Sequence, residues 1–362
     1  MTEYIIFGLM ITIISIMSEY TKKEYLAALL FYLSLLSIFL IGCRDGIGAD
    51  WQTYKFFFEN GYSNVTYDGN FEIGYAIWNK ILGALGLSSG MFFAITAFLS
   101  LFILFRSARQ FGIRNIAIPF LFYYCLFLAS LQFNIIRTGI LGSCLMYSLA
   151  LKPTNKKESI IWLFIGVSIH YMGIIFVPLW FFIERRVNVK LMLSLMLIAI
   201  LIYSVGIVSF INKYMNFLFL IDQRASDYVN YYDRAYGLSV GMCFNIVLFF
   251  VLFITQKRKY EKNIEFRILL NTLFISILIS ISMFELGIFV ERICQILNIS
   301  LVFIWPMLIR KILERNNRIS SLILSIFLCY YLSSYFLKSI GYGDYQSPTS
   351  AYPYKYNINH LI

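Results

Sequence analysis

Charge is scarce in this sequence. Only 14% of its 362 residues are Asp, Glu, Lys or Arg, against 60% hydrophobic residues and a mean hydropathy of +0.74. Soluble domains carry about a quarter charged residues, so composition alone excludes a soluble globule. Histidine occurs only twice and proline six times. The six cysteines, Cys43, Cys125, Cys144, Cys243, Cys294 and Cys329, show no CxxC spacing. That excludes a zinc ribbon and a redox motif and leaves no disulfide framework; they read as small core residues. There is no Walker sequence, no Rossmann fingerprint and no repeat of roughly 20–50 residues. Without a nucleotide site, any driving energy has to come with the substrate or from an ion gradient.

Apolar runs are what the chain has instead. They recur from end to end, many near the roughly 17–25 residues that cross a bilayer. They predict an all-α polytopic integral membrane protein, a single transmembrane domain over 1–362. Spans are expected near 4–18, 25–42, 91–105, 115–131, 138–151, 190–211, 238–256, 267–284, 293–309 and 319–338. The first run lacks a basic n-region and a small-residue cleavage site, and reads as a span and not a leader.

The run 159–183 is either one long tilted helix or a re-entrant hairpin pair with His170 near its tip. Charge decides, because Lys and Arg accumulate on the cytoplasmic side. A hairpin keeps Lys22, Lys23, Arg106, Arg109, Arg114, Lys152, Lys156, Lys157, Arg185, Arg186, Lys190, Lys257, Arg258, Lys259, Lys262, Arg267, Arg310, Lys311, Arg315 and Arg318 together inside. A single span would scatter them. The expected topology has about 12 membrane segments with both termini outside. Outer-face loops fall at 42–90 and 212–237, and an outer-face tail at 339–362. The net charge of +11 is then a topology signal, and no basic cluster is left over for nucleic acid.

Arginines without that excuse recur at the outer membrane boundary: Arg44, Arg137, Arg224, Arg234 and Arg292. Arg137 sits between two apolar spans in "LQFNIIRTGILG". An arginine near hydrocarbon faces a polar cavity or an anion, or pairs with a lipid phosphate or a neighbouring carboxylate. Guanidinium forks match phosphate oxygens bidentately, so a lipid carrying pyrophosphate is a natural ligand. The loop "ASDYVNYYDRAYG" interleaves Tyr228, Tyr231, Tyr232 and Tyr236 with Asp227, Asp233 and Arg234. Ring faces with charged hydrogen-bonding groups suit a sugar, and an interfacial aromatic belt is the plainer reading. Residues 71–85 put Phe71, Tyr75, Trp78, Leu82 and Leu85 on one face of an interfacial helix, with Glu72 either a surface charge or directed into the polar cavity. In "GCRDGIGADW", Gly42, Gly46 and Gly48 allow a tight turn at the membrane edge. That turn aims Arg44 inward and sets Asp50 beside Tyr54, a further sugar contact. Asp50, or failing it Glu72 or His170, is the candidate base for a sugar hydroxyl.

Four stretches, "RDGIGADWQTY" with "FEIGY", "NIIRTGI", "SIHYMGIIFVPL" and "ERICQILNIS", resemble the EpsG-like branch of the Wzy polysaccharide polymerases, in order and over nearly the whole chain. Thr138 departs from the pattern, where glutamine is expected after the arginine. The resemblance implies a glycosyltransferase of the bacterial cytoplasmic (inner) membrane, with its active site on the outer face. It would move a glycan from undecaprenyl pyrophosphate to the non-reducing end of another lipid-linked repeat unit, building O-antigen, capsule or exopolysaccharide. It would need no metal and no cofactor, and a chain-length regulator could be its partner. The rival readings are an O-antigen ligase and a lipid-linked oligosaccharide flippase. A flippase calls for charges deep in many helices and two similar halves, neither of which is visible here.

Overall fold

The computed structural model describes residues 1–21, 25–60, 71–206, 240–314, 318–341 and 354–361. Among them the protein is all-α, with a single isolated bridge, Arg44 to Tyr356, and no strand. Within the described residues each predicted span falls on helix; residues 207–211 and 238–239, the ends of two of those spans, lie outside them. Four described helices are long and apolar enough to cross a bilayer: Thr2–Thr21, Ser89–Gln110, Ile264–Ser282 and Phe289–Arg310. Ala117–Leu126 and Leu128–Asn134, bent by 71° at Phe127, make a fifth if taken as one span. The shorter apolar helices are Leu26–Gly42, Ile136–Leu151, Tyr171–Phe182, Val189–Val205 and Gly241–Thr255. This is an all-α membrane protein.

The described residues form two compact units, Met1–Ile175 with Val302–Ile362, and Phe176–Leu301. The first holds α1 (Thr2–Thr21), α2 (Leu26–Leu35), α3 (Trp51–Asn60), α4 (Ile73–Ala84), α5 (Ser89–Gln110), α6 (Ala117–Leu126), α7 (Ile136–Leu151) and α8 (Lys156–Ile169). Local sequence explains the ends. Ser88 and Asn155 cap α5 and α8 by accepting from Met91 N–H and Glu158 N–H, and Gly112 ends α5 at φ +69°.

Apolar burial cannot drive helices together within lipid, so close approach and polar contacts do it. Ser100 Oγ lies 3.0 Å from Ser143 Oγ between α5 and α7. Ser148 and Ser159 hydrogen-bond each other's carbonyls between α7 and α8, at 2.7 and 2.6 Å. Two π-helical segments, Leu36–Gly42 and Leu128–Asn134, deliver the chain to the 43–50 turn and to Arg137. Such segments are rare and frequent at functional sites.

Helix α8 stops at His170, whose backbone is extended (φ −150°, ψ 114°). A Cβ on Gly173 would lie 3.1 Å from Val167 Cα. Six residues of continuous helix would separate those positions by about 9 Å, so the chain folds back here. Helix α4 also differs from the expected pattern. Phe71, Tyr75 and Leu82 are buried and Trp78 half-buried, but Leu85 lies past the last turn and is 68% exposed. Ile73, Ile77 and Ile81 form a second, exposed apolar line. Cys43, Cys144 and Cys294 are buried as expected of core residues; Cys243 and Cys329 are exposed.

In the second unit, Arg267 and Asn271 tie off a helix end. Arg267 Nε donates to Glu184 O at 2.8 Å, and Asn271 Nδ2 to Ile183 O and Arg185 O at 2.7 and 2.9 Å. Tyr260 joins them, donating to Asn271 Oδ1 at 2.9 Å. This Arg267 satisfies orphan carbonyls and serves structure.

Candidate active site

Glu72, Arg137 and His170 meet in the first unit. Glu72 precedes α4 at the N-cap position, yet its side chain makes no cap bond to its own helix. It points instead at the start of α7 and the end of α8. Arg137 Nη1 donates to Glu72 Oε2. His170 Nδ1 lies 2.7 Å from Glu72 Oε1, which also accepts from the Tyr171 N–H at 3.3 Å. Exposure of the three side chains is 8, 15 and 12%. Burial would raise the Glu72 carboxyl pKa, but the hydrogen bond from His170 and the Arg137 charge outweigh it and hold it down at about 2.

Two features bring these residues together. Gly74 lets α4 touch the end of α8: a Cβ there would sit 2.3 Å from Ser168 Oγ and 2.7 Å from its carbonyl oxygen. An aromatic cage then receives the guanidinium. Arg137 Cζ lies 4.6 Å from the Phe71 ring centroid, 5.9 Å from Tyr75 and 6.0 Å from Tyr54. Phe57 closes on Phe71 at 4.2 Å. Such ring faces stabilise a desolvated cation by about 2 kcal/mol.

The "GCRDGIGADW" turn is shaped as its glycines require. Gly46 and Gly48 have φ +64° and +100°, and a Cβ on Gly48 would lie 2.2 Å from Phe133 O. Arg44 does point inward, to zero exposure. Its Nη1 donates to Gln132 O at 2.9 Å, and its Cζ faces Phe93 at 4.7 Å and Phe133 at 5.3 Å. No surface of Arg44 is open to a ligand in this structure. Asp50 is half-buried in the turn before α3, its carbonyl accepting from Tyr54 N–H at 3.0 Å. Tyr54 itself is buried in the Arg137 cage.

Arg292 lies half-buried on helix Gly287–Asn298 of the second unit. Arg224, Arg234, Tyr228, Tyr232, Asp233 and Tyr236 lie outside the described residues.

Sequence reasoning missed the C-terminal segment. Asp45 N–H donates to Lys355 O, Asn357 N–H to Cys43 O, and Tyr354 Oη to Leu40 O at 3.1, 2.8 and 3.0 Å. His360 Nε2 lies 3.1 Å from Asp45 Oδ1. The one available signal was that His360 is the chain's second histidine. Gln132 was missed too; it donates to Tyr123 Oη at 2.8 Å beneath Arg44.

The sequence model of the EpsG family matches residues 27–356. No curated protein and no solved structure matches the chain.

Proposed function

The chain belongs to the EpsG family, and we propose that it polymerises lipid-linked oligosaccharide repeat units at the outer face of the cytoplasmic membrane. Family membership supports a role in polysaccharide synthesis. The finer reading rests on one observation, the buried Glu72–Arg137–His170 cluster.

Glu72 is ionised, and an ionised carboxylate only accepts hydrogen bonds. His170 Nδ1 therefore carries a proton, and in the neutral ring Nε2 is the acceptor. That is the arrangement of a general base oriented by an acid. In the reaction, the acceptor sugar hydroxyl attacks the anomeric carbon of the donor glycan. The bond from that carbon to the pyrophosphate oxygen breaks, its electron pair leaves with the undecaprenyl pyrophosphate, and the hydroxyl proton passes to His170 Nε2. Glu72 holds the ring and stabilises the imidazolium. Arg137 keeps Glu72 ionised and sets a positive field beside the departing pyrophosphate. From the sequence pattern alone, Arg292, Arg224 and Arg234 are proposed as further pyrophosphate contacts and Tyr228, Tyr232, Asp233 and Tyr236 as sugar contacts, while Asp50 would steady the acceptor beside Tyr54. The cluster belongs to the outer face on a topology of about 12 membrane segments with both termini outside.

Deletion in the native host followed by gel analysis of surface polysaccharide tests this. The ladder should collapse to a single repeat unit and return with the wild-type gene. His170→Ala, at matched membrane abundance, should lower polymer formation by the roughly 10²–10⁴ of a lost general base. A full ladder from His170→Ala would end the assignment.

A further inference from the structure

A polar cavity lies in the first unit, outside the cluster. It has a volume of about 390 Å³ and is lined by Phe58, Glu59, Gly83, Ser88, Asn359 and His360, among others. That size falls in the lower part of the small-molecule range of roughly 300–1,000 Å³. Its ionisable groups are already matched. Glu59 Oε1 lies 3.8 Å from Lys55 Nζ, and His360 Nε2 lies 3.1 Å from Asp45 Oδ1. Lys55 in turn stands over the Trp51 ring at 5.0 Å. An anion such as pyrophosphate would find no unmatched cation there among the described residues, and a prenyl chain would meet hydroxyl, amide and carboxylate groups.

What the cavity offers is hydrogen bonding around one ring. Ser88 Oγ accepts from Met91 N–H and keeps its own proton to donate. Asn359 is exposed, with an amide that both donates and accepts. Phe58 is fixed by stacking on Phe92 at 4.5 Å. A rigid aromatic ring beside hydroxyl, amide and carboxylate groups matches an uncharged polyhydroxylated molecule, whose C–H face covers the ring while its hydroxyls bond the rim.

We propose that this cavity is a glycan subsite that holds a sugar of the growing chain, which rests on the polymerase reading above. Helix α3 links it to the cluster. Tyr54 and Phe57 turn toward the Phe71–Tyr75 cage, and Phe58 and Glu59 face the cavity.

Gly83 supplies the test. Gly83 lines the cavity, and a Cβ there meets nothing within 4 Å, so a larger side chain takes up space at its wall without a clash at its base. Glycine inside a helix is less stable than alanine by roughly 0.5–1 kcal/mol, so neither Gly83→Ala nor Gly83→Trp threatens the fold. The full-length protein in nanodiscs would be titrated with oligosaccharides from partial acid hydrolysis of the host's own surface polysaccharide. Wild type and Gly83→Ala should bind alike, and Gly83→Trp and Phe58→Ala should bind at least ~10-fold more weakly, a loss of about 1.4 kcal/mol or more. In cells, Gly83→Trp should shorten the ladder several-fold while the first linkage still forms. Wild-type binding by Gly83→Trp, or no binding by the wild type, overturns the subsite. Failure of the polymerase reading looks different: the deletion strain keeps its ladder whatever the binding shows.

Discussion

Taking the charge from Glu72 while keeping its size isolates what the carboxylate does. Glu72→Gln keeps one oxygen, which can serve either Arg137 Nη1 on the Oε2 side or His170 Nδ1 and the Tyr171 N–H on the Oε1 side, and places an amide NH₂ at the other. The guanidinium, only 15% exposed, loses the negative charge opposite it. Breaking a buried ion pair from one side costs about 3–5 kcal/mol. The Phe71 face at 4.6 Å cannot offset this, since it is present in the wild type as well. A domain of this size shifts by roughly 2–4 °C per kcal/mol, so the melting temperature should drop by on the order of 10 °C. Thermal unfolding of the purified full-length protein in detergent, followed by tryptophan fluorescence, measures it. Adding Arg137→Met removes the stranded charge, so the double variant should regain at least half of the loss while staying inactive.

Acid gives an independent check. The carboxyl titrates at about 2 in the fold against 4.5 ordinarily. A depressed pKa stabilises the fold above the higher value, and that contribution is lost as pH falls through the lower one. The gap between wild type and Glu72→Gln should therefore close between pH 4.5 and 2. A Glu72→Gln protein that melts with the wild type at pH 7 refutes the reasoning.

Two more outcomes follow, the first from the proposed topology and the second from the fold. Single cysteines beside Lys156, Arg186 and Lys259 should be protected from an impermeant thiol reagent, and one at Gly86 labelled; labelling at Lys259 would remove the hairpin at 159–183 and reverse the second half. Gly74→Ala drives a methyl into the Ser168 backbone, so it should push α4 off α8, part Glu72 from His170 and lower polymer formation at least ~10²; wild-type polymer would show that this contact does not position the cluster.

The candidate site was half legible before the structure. Glu72, Arg137 and His170 stand out because charge and imidazole are conspicuous in a chain this apolar. Their mutual contact was not, since it depends on Gly74, on the fold-back at Gly173 and on the 71° bend before Arg137. None of these has a periodic signature. Helices were legible because apolar runs have length, but the π-helical segments read like any other apolar turn. The tail was hardest. Two of its attachments to the 39–45 stretch are backbone–backbone hydrogen bonds spanning over 300 residues, and a backbone bond leaves no trace in side-chain identity. Tyr354 anchors the tail there through its hydroxyl, which donates to Leu40 O.

Arg44 poses the opposite electrostatic problem from Arg137. It is fully buried, and burial pulls its pKa down to about 9 even with tyrosines nearby. The Gln132 carbonyl takes one of its donors; its Nε and Nη2 have no hydrogen-bond partner among the described residues. A charged hydrogen bond contributes about 1.5–3 kcal/mol, and each of the two ring faces up to about 2. Together these roughly match the several kcal/mol lost on taking the ion out of water. A charge that only breaks even is replaceable by an apolar side chain of similar length. Arg44→Met should keep membrane abundance, melt within about 3 °C of the wild type and yield a normal ladder. Arg44→Lys should do worse, because an ammonium stacks poorly on Phe93 and Phe133 and is desolvated at greater cost. Collapse of the ladder in Arg44→Met at normal abundance would mean that the turn opens during catalysis and that Arg44 meets the pyrophosphate after all.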